Sequence, residues 1–126
     1  YGVDLFLDIH GDEEIPHVFT AGCEGNPGYT PRIEKLEERF RSHLKHTTKD
    51  FQTKYGYTRD EPGKANMTLA CNAVGQKYDC LSLTLEMPFK DHDDHPNPLT
   101  GWSGKRSKQL GKDVLTTVAD MVSTLR

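Results

Sequence analysis

The stretch YGVDLFLDIHGD, residues 1–12, decides how the rest of the sequence is interpreted. Residues 3–9 form an apolar run rich in β-branched and aromatic side chains, which is typical of a buried strand. A glycine precedes this run and polar residues follow it, so the strand is predicted to end at His10. Because catalytic groups in open α/β sheets collect at the carboxyl ends of strands, the position of His10 favours a functional role.

A second stretch, LSLTLEMP at residues 81–88, alternates apolar and small polar side chains with the period of a strand. Pro88 cannot donate to a β-ladder and therefore ends the predicted strand. Glu86 is then expected at the end of a strand, facing the same cleft as His10. An imidazole and a carboxylate in this arrangement are parts of a site in which a metal ion activates a water molecule.

The helical segments follow from their apolar periodicity. The first helix is predicted to begin at Pro31, with Thr30 as its N-cap. Its apolar positions recur at steps of three and four residues: Ile33, Leu36, Phe40, Leu44 and, as a further candidate, Phe51. A short helix is predicted over residues 66–74, a terminal helix over residues 110–125, and a short strand over residues 17–20. Two or three strands flanked by helices predict an α/β fold with a mostly parallel or mixed sheet.

The start of the chain bears on its domain organisation. The sequence begins at Tyr1, without methionine, and enters the first predicted strand within about two residues. A polypeptide rarely begins inside a core strand, so we expect residues 1–126 to be a fragment of a longer polypeptide, although a processed chain would begin in the same way. Their number suits one compact unit rather than several.

Composition excludes several classes of protein. The net charge of −3 gives no basic stripe for nucleic acid, and no apolar run reaches the roughly 20 residues that cross a bilayer. We therefore expect neither nucleic acid nor a membrane as a partner. Cys23, Cys71 and Cys80 are odd in number and lack C-x-x-C spacing, which indicates buried, reduced thiols rather than disulfides or a cysteine metal site.

Three motifs together resemble a known family: LFLDIHGDEEIP at residues 5–16, EGNPGY at residues 24–29 and SLTLEMPFK at residues 82–90. They are similar to the C-terminal half of the catalytic domain of zinc metallocarboxypeptidases, especially the cytosolic carboxypeptidase branch and its bacterial relatives. The resemblance covers most of the chain. It implies a carboxypeptidase-like layered domain, of the phosphorylase/hydrolase-like type, and a cytoplasmic location.

The resemblance also implies roles for individual residues. His10 falls on the family's second zinc-binding histidine, and Glu86 falls on its catalytic glutamate. The H-x-x-E pair that supplies the other zinc ligands, and the groups that grip the substrate carboxylate, would lie before Tyr1, in the missing N-terminal half of the polypeptide. The family's substrate-facing tyrosine has no counterpart in the corresponding stretch GKANMTLAC. We interpret the nearby Tyr57, like Tyr55 and Tyr78, as a packing or surface residue.

The implied function is a zinc-dependent carboxypeptidase that removes C-terminal amino acids from peptides or proteins. One alternative is a related zinc amidohydrolase that acts on N-acyl amino acids. Another is an inactive fragment or interaction module, because an incomplete set of ligands should bind zinc poorly.

Further candidate ligands have plainer interpretations. The run DHDDH at residues 91–95 is rich in potential ligands, but it precedes Pro-Asn-Pro and is most simply a hydrated loop. His17 is interpreted as structural or exposed. Residues 12–14 are candidates to orient His10, because ligating imidazoles usually donate their other N–H group to an acceptor. Asp8 lies on the same strand face as His10, and the roughly 6–7 Å between these positions makes contact between them unexpected.

Overall fold

Three strands form one mixed sheet in a computed structural model that describes residues 2–126. They are β1 (Leu5–Asp12), β2 (Phe19–Ala21) and β3 (Leu81–Pro88). β3 lies in the centre, parallel to β1 and antiparallel to β2. The mixed sheet with flanking helices confirms the predicted fold class. Tyr1, on which the prediction about the start of the chain depends, lies outside the described residues.

Three helices flank this sheet: α1 (Pro31–Thr47), α2 (Ala70–Tyr78) and α3 (Gly104–Met121), the last followed by a 3₁₀ turn at Val122–Thr124. The Thr30 hydroxyl accepts a hydrogen bond from the backbone N–H of Ile33 at 3.3 Å, which confirms the predicted N-cap of α1. Ser103 caps α3 in the same way, through the backbone N–H of Arg106. No helix in the described part of the chain is long and apolar enough to cross a membrane.

The alternation of side chains along β3 separates two layers. Leu81, Leu83 and Leu85 are buried in the main apolar cluster, together with side chains from α1 and α3. Ser82 points to the other face, where its hydroxyl donates to the backbone carbonyl of Cys71 in α2 at 2.7 Å. Because residues of one strand alternate between the two faces, Glu86 shares the face of Ser82 and opens away from the apolar core.

β1 differs from the buried strand that the sequence predicts. It begins at Leu5 and continues through Asp12, so His10 lies within the strand rather than after it. Ile9 is 52% exposed, and the other apolar side chains of the strand are only half-buried. The reason is its position, because β1 lies at one edge of the sheet formed by the described residues.

Two helix predictions also need correction. Phe51 lies beyond the end of α1 and forms a parallel β-bridge with Val18, which explains why it is buried without being helical. α2 begins at Ala70 rather than at residue 66, and Leu69 is exposed, so the apolar residues there do not form one packed face. The three cysteines are buried and form no disulfide, as the sequence predicts.

Candidate functional site

His10 and Glu86 lie directly opposite each other on neighbouring strands. In the parallel register of β1 and β3, these two residues are partners. Both side chains line one cleft of about 800 Å³, whose wall also includes Tyr57 and Arg41. The prediction that these two residues meet at one cleft is therefore confirmed.

The Glu86 carboxylate is buried and incompletely satisfied. The residue is 4% exposed, and its Oε1 atom lies 3.1 Å from the hydroxyl of Tyr57. Its Oε2 atom is buried and has no hydrogen-bond partner among the described residues. Burial raises the pKa of Glu86 above the ordinary value, against the opposing effects of Tyr57 and His10. A buried acceptor without a partner is costly, so Oε2 marks a position where a further polar group fits.

The His10 imidazole is oriented by a neighbour on its own strand. Its Nε2 atom lies 2.9 Å from Oδ1 of Asp8, and about half of the His10 side chain is exposed to the cleft. The expectation that Asp8 is too far away is wrong, because an imidazole and a carboxylate on the same face can lean toward each other across a two-residue interval. Since a carboxylate accepts a hydrogen bond, this contact favours a proton on Nε2 and leaves the Nδ1 lone pair free.

Asp12 is held by the loop that follows β1. Its Oδ1 atom accepts hydrogen bonds from the backbone N–H groups of Glu14 and Ile15, at 2.8 and 2.7 Å. Its Oδ2 atom accepts from the hydroxyl of Tyr57 at 2.5 Å. These bonds, that of Tyr57 foremost, lower the pKa of Asp12. Asp12 therefore reaches the site through Tyr57, and Asp8 makes the contact to His10 that residues 12–14 were expected to supply.

Tyr57 is a site residue that the sequence interpretation missed. Its hydroxyl lies between the carboxylates of Asp12 and Glu86. A phenol has one proton to donate, so two carboxylates can be satisfied only if they share it or if one of them is itself protonated. Burial is the main cause that raises the pKa of Tyr57, and the carboxylates of Asp12 and Glu86 raise it further. The hydroxyl therefore stays protonated and links Asp12 to Glu86.

The segment that carries Tyr57 has no regular secondary structure, which is why periodicity gives no sign of its role. The ring of Tyr57 packs edge-on against Phe19 of β2, with a centroid distance of 4.9 Å. The Gln52 side chain accepts from the backbone N–H groups of Lys54 and Tyr55 and thereby fixes the turn before it. The sequence signal that could have indicated the residue is the pair of tyrosines around Gly56 in an otherwise polar stretch.

Arg41 supplies a positive charge to the cleft, but its guanidinium is already engaged. It bonds Glu24 at 2.8 Å, lies 3.6 Å from Glu37, and donates to the Thr20 hydroxyl at 3.1 Å. Glu37 is fully buried, and that burial raises its pKa to about 7. Arg41 therefore contributes to a buried polar network through its Nε and Nη2 atoms.

Possible metal ligands occur in two places. Within residues 2–126, His10 belongs to no group of three side chains with ligand atoms close together, so a metal there requires ligands from elsewhere. His17, His92 and Asp94 do form such a group, with ligand atoms within 4.8 Å of one another. None of these three residues lines the cleft.

Comparisons with known proteins test the predicted resemblance. No protein-family model matches the sequence. An uncharacterized protein of Zymomonas mobilis is 54% identical over 124 residues, which cover 98% of this chain and 33% of the relative. A metallo-carboxypeptidase from Pseudomonas aeruginosa, solved in complex with (2-guanidinoethylmercapto)succinic acid, is 70% identical with a TM-score of 0.97, over 99% of this chain and 33% of that one. Over nearly its whole length, the chain is therefore similar to one part of a metallo-carboxypeptidase.

A second metallo-carboxypeptidase, from Burkholderia cenocepacia, is 42% identical with a TM-score of 0.92, over 98% of this chain and 32% of that one. The chain thus spans about one third of the length of the metallo-carboxypeptidases and of the curated relative that it matches. The predicted family resemblance is confirmed. The roles of His10 and Glu86, the identity of the metal and the boundaries of the domain stay predictions.

Proposed function

We propose that the protein is a zinc-dependent carboxypeptidase that removes C-terminal amino acids from peptides or proteins. In this proposal Glu86 is the catalytic carboxylate and His10 is one of the zinc ligands. The observation that carries it is the pairing of His10 with Glu86 across β1 and β3, at a cleft, in a chain whose solved relatives are metallo-carboxypeptidases. A cytoplasmic location is a further proposal that rests on the sequence resemblance alone.

Two features of the site suit a zinc ion. The contact between His10 Nε2 and Asp8 is the outer-shell arrangement that orients zinc-binding imidazoles, and it leaves Nδ1 free to bind. The unpartnered Oε2 atom of Glu86 lies on the same side of the sheet, where it would face a bound water. Zinc, when bound, supplies Lewis acidity that acidifies water and stabilises negative charge on a carbonyl oxygen.

Glu86 would perform the proton transfers of peptide hydrolysis. Its ionised carboxylate accepts a proton from the attacking water and then delivers that proton to the departing amine, so the enzyme returns to its starting state. Burial raises the pKa of Glu86, which makes the carboxylate a stronger base than an exposed glutamate. Tyr57 would hold Oε1 in place and leave Oε2 as the reactive oxygen.

The remaining parts of the centre would come from outside these residues. A hydrolytic zinc needs three protein ligands and one open position. His10 supplies one of them, and the Nε and Nη2 atoms of Arg41 are already bonded to Thr20 and Glu24. We propose that the other ligands and the carboxylate-binding groups belong to the rest of the protein. This chain spans about one third of the length of its metallo-carboxypeptidase relative.

Two substitutions in the protein at its natural full length test this function. Glu86→Gln should lower kcat on blocked dipeptides by roughly 10²–10⁴-fold, the usual contribution of a general base, while the zinc content stays unchanged. His10→Ala should lose activity together with the zinc ion that is bound beside Glu86. Glu38→Gln and His46→Ala are matched controls, because both side chains are exposed on α1.

Three outcomes discriminate between functions. Turnover that survives in Glu86→Gln would contradict the catalytic assignment. Cleavage of N-acyl amino acids in preference to peptides would favour an amidohydrolase. We also expect competitive inhibition by (2-guanidinoethylmercapto)succinic acid, the compound bound by the Pseudomonas aeruginosa relative. Failure of this compound to bind the wild-type protein would count against a shared substrate site.

A further inference from the structure

We propose that His17, His92 and Asp94 form a second metal site, for a divalent transition-metal ion such as zinc. Their ligand atoms lie within 4.8 Å of one another, and the residues come from two loops that are distant in the sequence. This site is separate from the proposed catalytic centre, because none of the three residues lines the cleft that contains His10 and Glu86.

The distances around Asp94 suit tetrahedral coordination. Its Oδ2 atom lies 2.9 Å from His17 Nδ1 and 3.7 Å from His92 Nδ1. Zinc–ligand bonds of 2.0–2.1 Å at tetrahedral angles separate neighbouring ligand atoms by about 3.3 Å. These two distances lie on either side of that value, and the ligand atoms of His17 and His92 lie within 4.8 Å of each other. The two imidazoles would therefore draw together by up to about 1.5 Å around an ion.

The environment of His92 directs one nitrogen toward this cluster. The residue is fully buried, and its Nε2 atom lies 2.6 Å from the backbone carbonyl oxygen of Asp50. A carbonyl can only accept, so Nε2 carries the proton and Nδ1 presents its lone pair. That lone pair receives only a long contact, 3.4 Å, from the backbone N–H of Asp94. An imidazole that donates its outer N–H to a backbone carbonyl is typical of metal-binding histidines.

His17 is equally constrained. It is buried, and its ring stacks on Tyr55 with a centroid distance of 4.5 Å and an interplanar angle of 15°. This stacking fixes the ring with Nδ1 directed at Asp94. The side chain of Asp94 is about one third exposed, which leaves room for a water molecule as the fourth ligand. Two imidazoles, one carboxylate and one water form a donor set that zinc accepts.

Such an ion would connect three segments around the sheet. His17 follows β1 and His92 follows β3, and the backbone N–H of Asp93 already donates to the Pro16 carbonyl between these loops. Through its stacking on Tyr55, His17 also contacts the segment that carries Tyr57. We therefore infer a structural role, in which the metal holds together the loops that position the cleft.

The test uses the natural full-length protein in a His10→Ala background, so that the proposed catalytic zinc does not obscure the result. After equilibration with micromolar zinc and gel filtration, this variant should retain about one equivalent of zinc per chain. Adding Asp94→Asn or His17→Gln should remove that zinc and abolish the zinc-induced rise in Tm. Adding Asp93→Asn, an exposed neighbour, should leave both unchanged.

Folding is checked in parallel by circular dichroism, and Co²⁺ serves as a spectroscopic probe. Cobalt should produce visible absorption bands in the His10→Ala protein that disappear with Asp94→Asn. An ordinary hydrogen bond between His17 and Asp94 needs no metal. If His17 and Asp94 form only such a hydrogen bond, the His10→Ala protein would contain no zinc, or its zinc would persist after substitution of Asp94 and His17. Either result would overturn the second site. Both outcomes leave the proposed catalytic function to be decided by wild-type activity.

Discussion

The Tyr57→Phe substitution removes a single oxygen atom from the candidate site. That oxygen lies 2.5 Å from Asp12 and 3.1 Å from Glu86, and the ring that remains can keep its edge contact with Phe19. A hydrogen bond to a charged group contributes about 1.5–3 kcal/mol. Because half of Tyr57 is exposed, we take the lower end, about 1.5 kcal/mol, which corresponds to roughly a tenfold loss of kcat/KM.

Initial rates of blocked-dipeptide hydrolysis by the full-length protein measure this effect. Since Tyr57 is proposed to position the Glu86 carboxylate, the loss should appear mainly in kcat, and the zinc content should be unchanged. Tyr78→Phe is the matched control, because Tyr78 lies at the end of α2 and does not line the cleft. A Tyr57→Phe enzyme with wild-type kcat/KM would refute the positioning role.

Three further results are expected. Burial raises the pKa of Glu37 from 4.5 to about 7, so between these pH values the folded protein keeps a proton on Glu37 that the unfolded chain has lost. The contribution of Glu37 to the free energy of unfolding should therefore fall by about 3 kcal/mol as the pH rises through this interval. Urea unfolding at several pH values should show that the stability of Glu37→Gln changes less with pH than that of the wild type. Gly75→Ala would bring a methyl group to 2.7 Å from a buried thiol, so it should lower stability by about 1–3 kcal/mol, whereas Gly111→Ala meets no atom within 4 Å and should not lower Tm. Asp8→Asn should weaken zinc binding through His10 by about 10–100-fold in a competition titration. An unchanged zinc affinity would contradict the proposal that Asp8 orients the His10 imidazole for metal binding.

The parts of the structure that depend on local pattern could be predicted from the sequence. Thr30 and the apolar spacing that follows it are sufficient to place the start of α1, because capping and amphipathicity act within a few residues. His10 and Glu86 could be paired because both occur near the ends of strand-like runs that enter one parallel sheet. Residues whose position follows from strand register are therefore within reach of sequence interpretation.

The rest depends on side-chain reach and on contacts between distant loops. The contact of Asp8 with His10 is decided by how two side chains lean on one strand face, and spacing alone suggested the opposite. Tyr57 reaches Glu86 from a segment without regular secondary structure. His17 meets Asp94 across 77 positions of sequence, so neither loop carries the signal by itself.

The proposed catalytic centre has a zinc ion bound to His10, beside a catalytic Glu86. It is tested most directly by anomalous diffraction at the zinc edge on crystals of the protein at its natural full length. We predict a zinc peak at bonding distance from Nδ1 of His10, on the side of the sheet that Glu86 faces. The absence of a zinc peak near Nδ1 of His10, whether or not zinc is bound elsewhere, would contradict it.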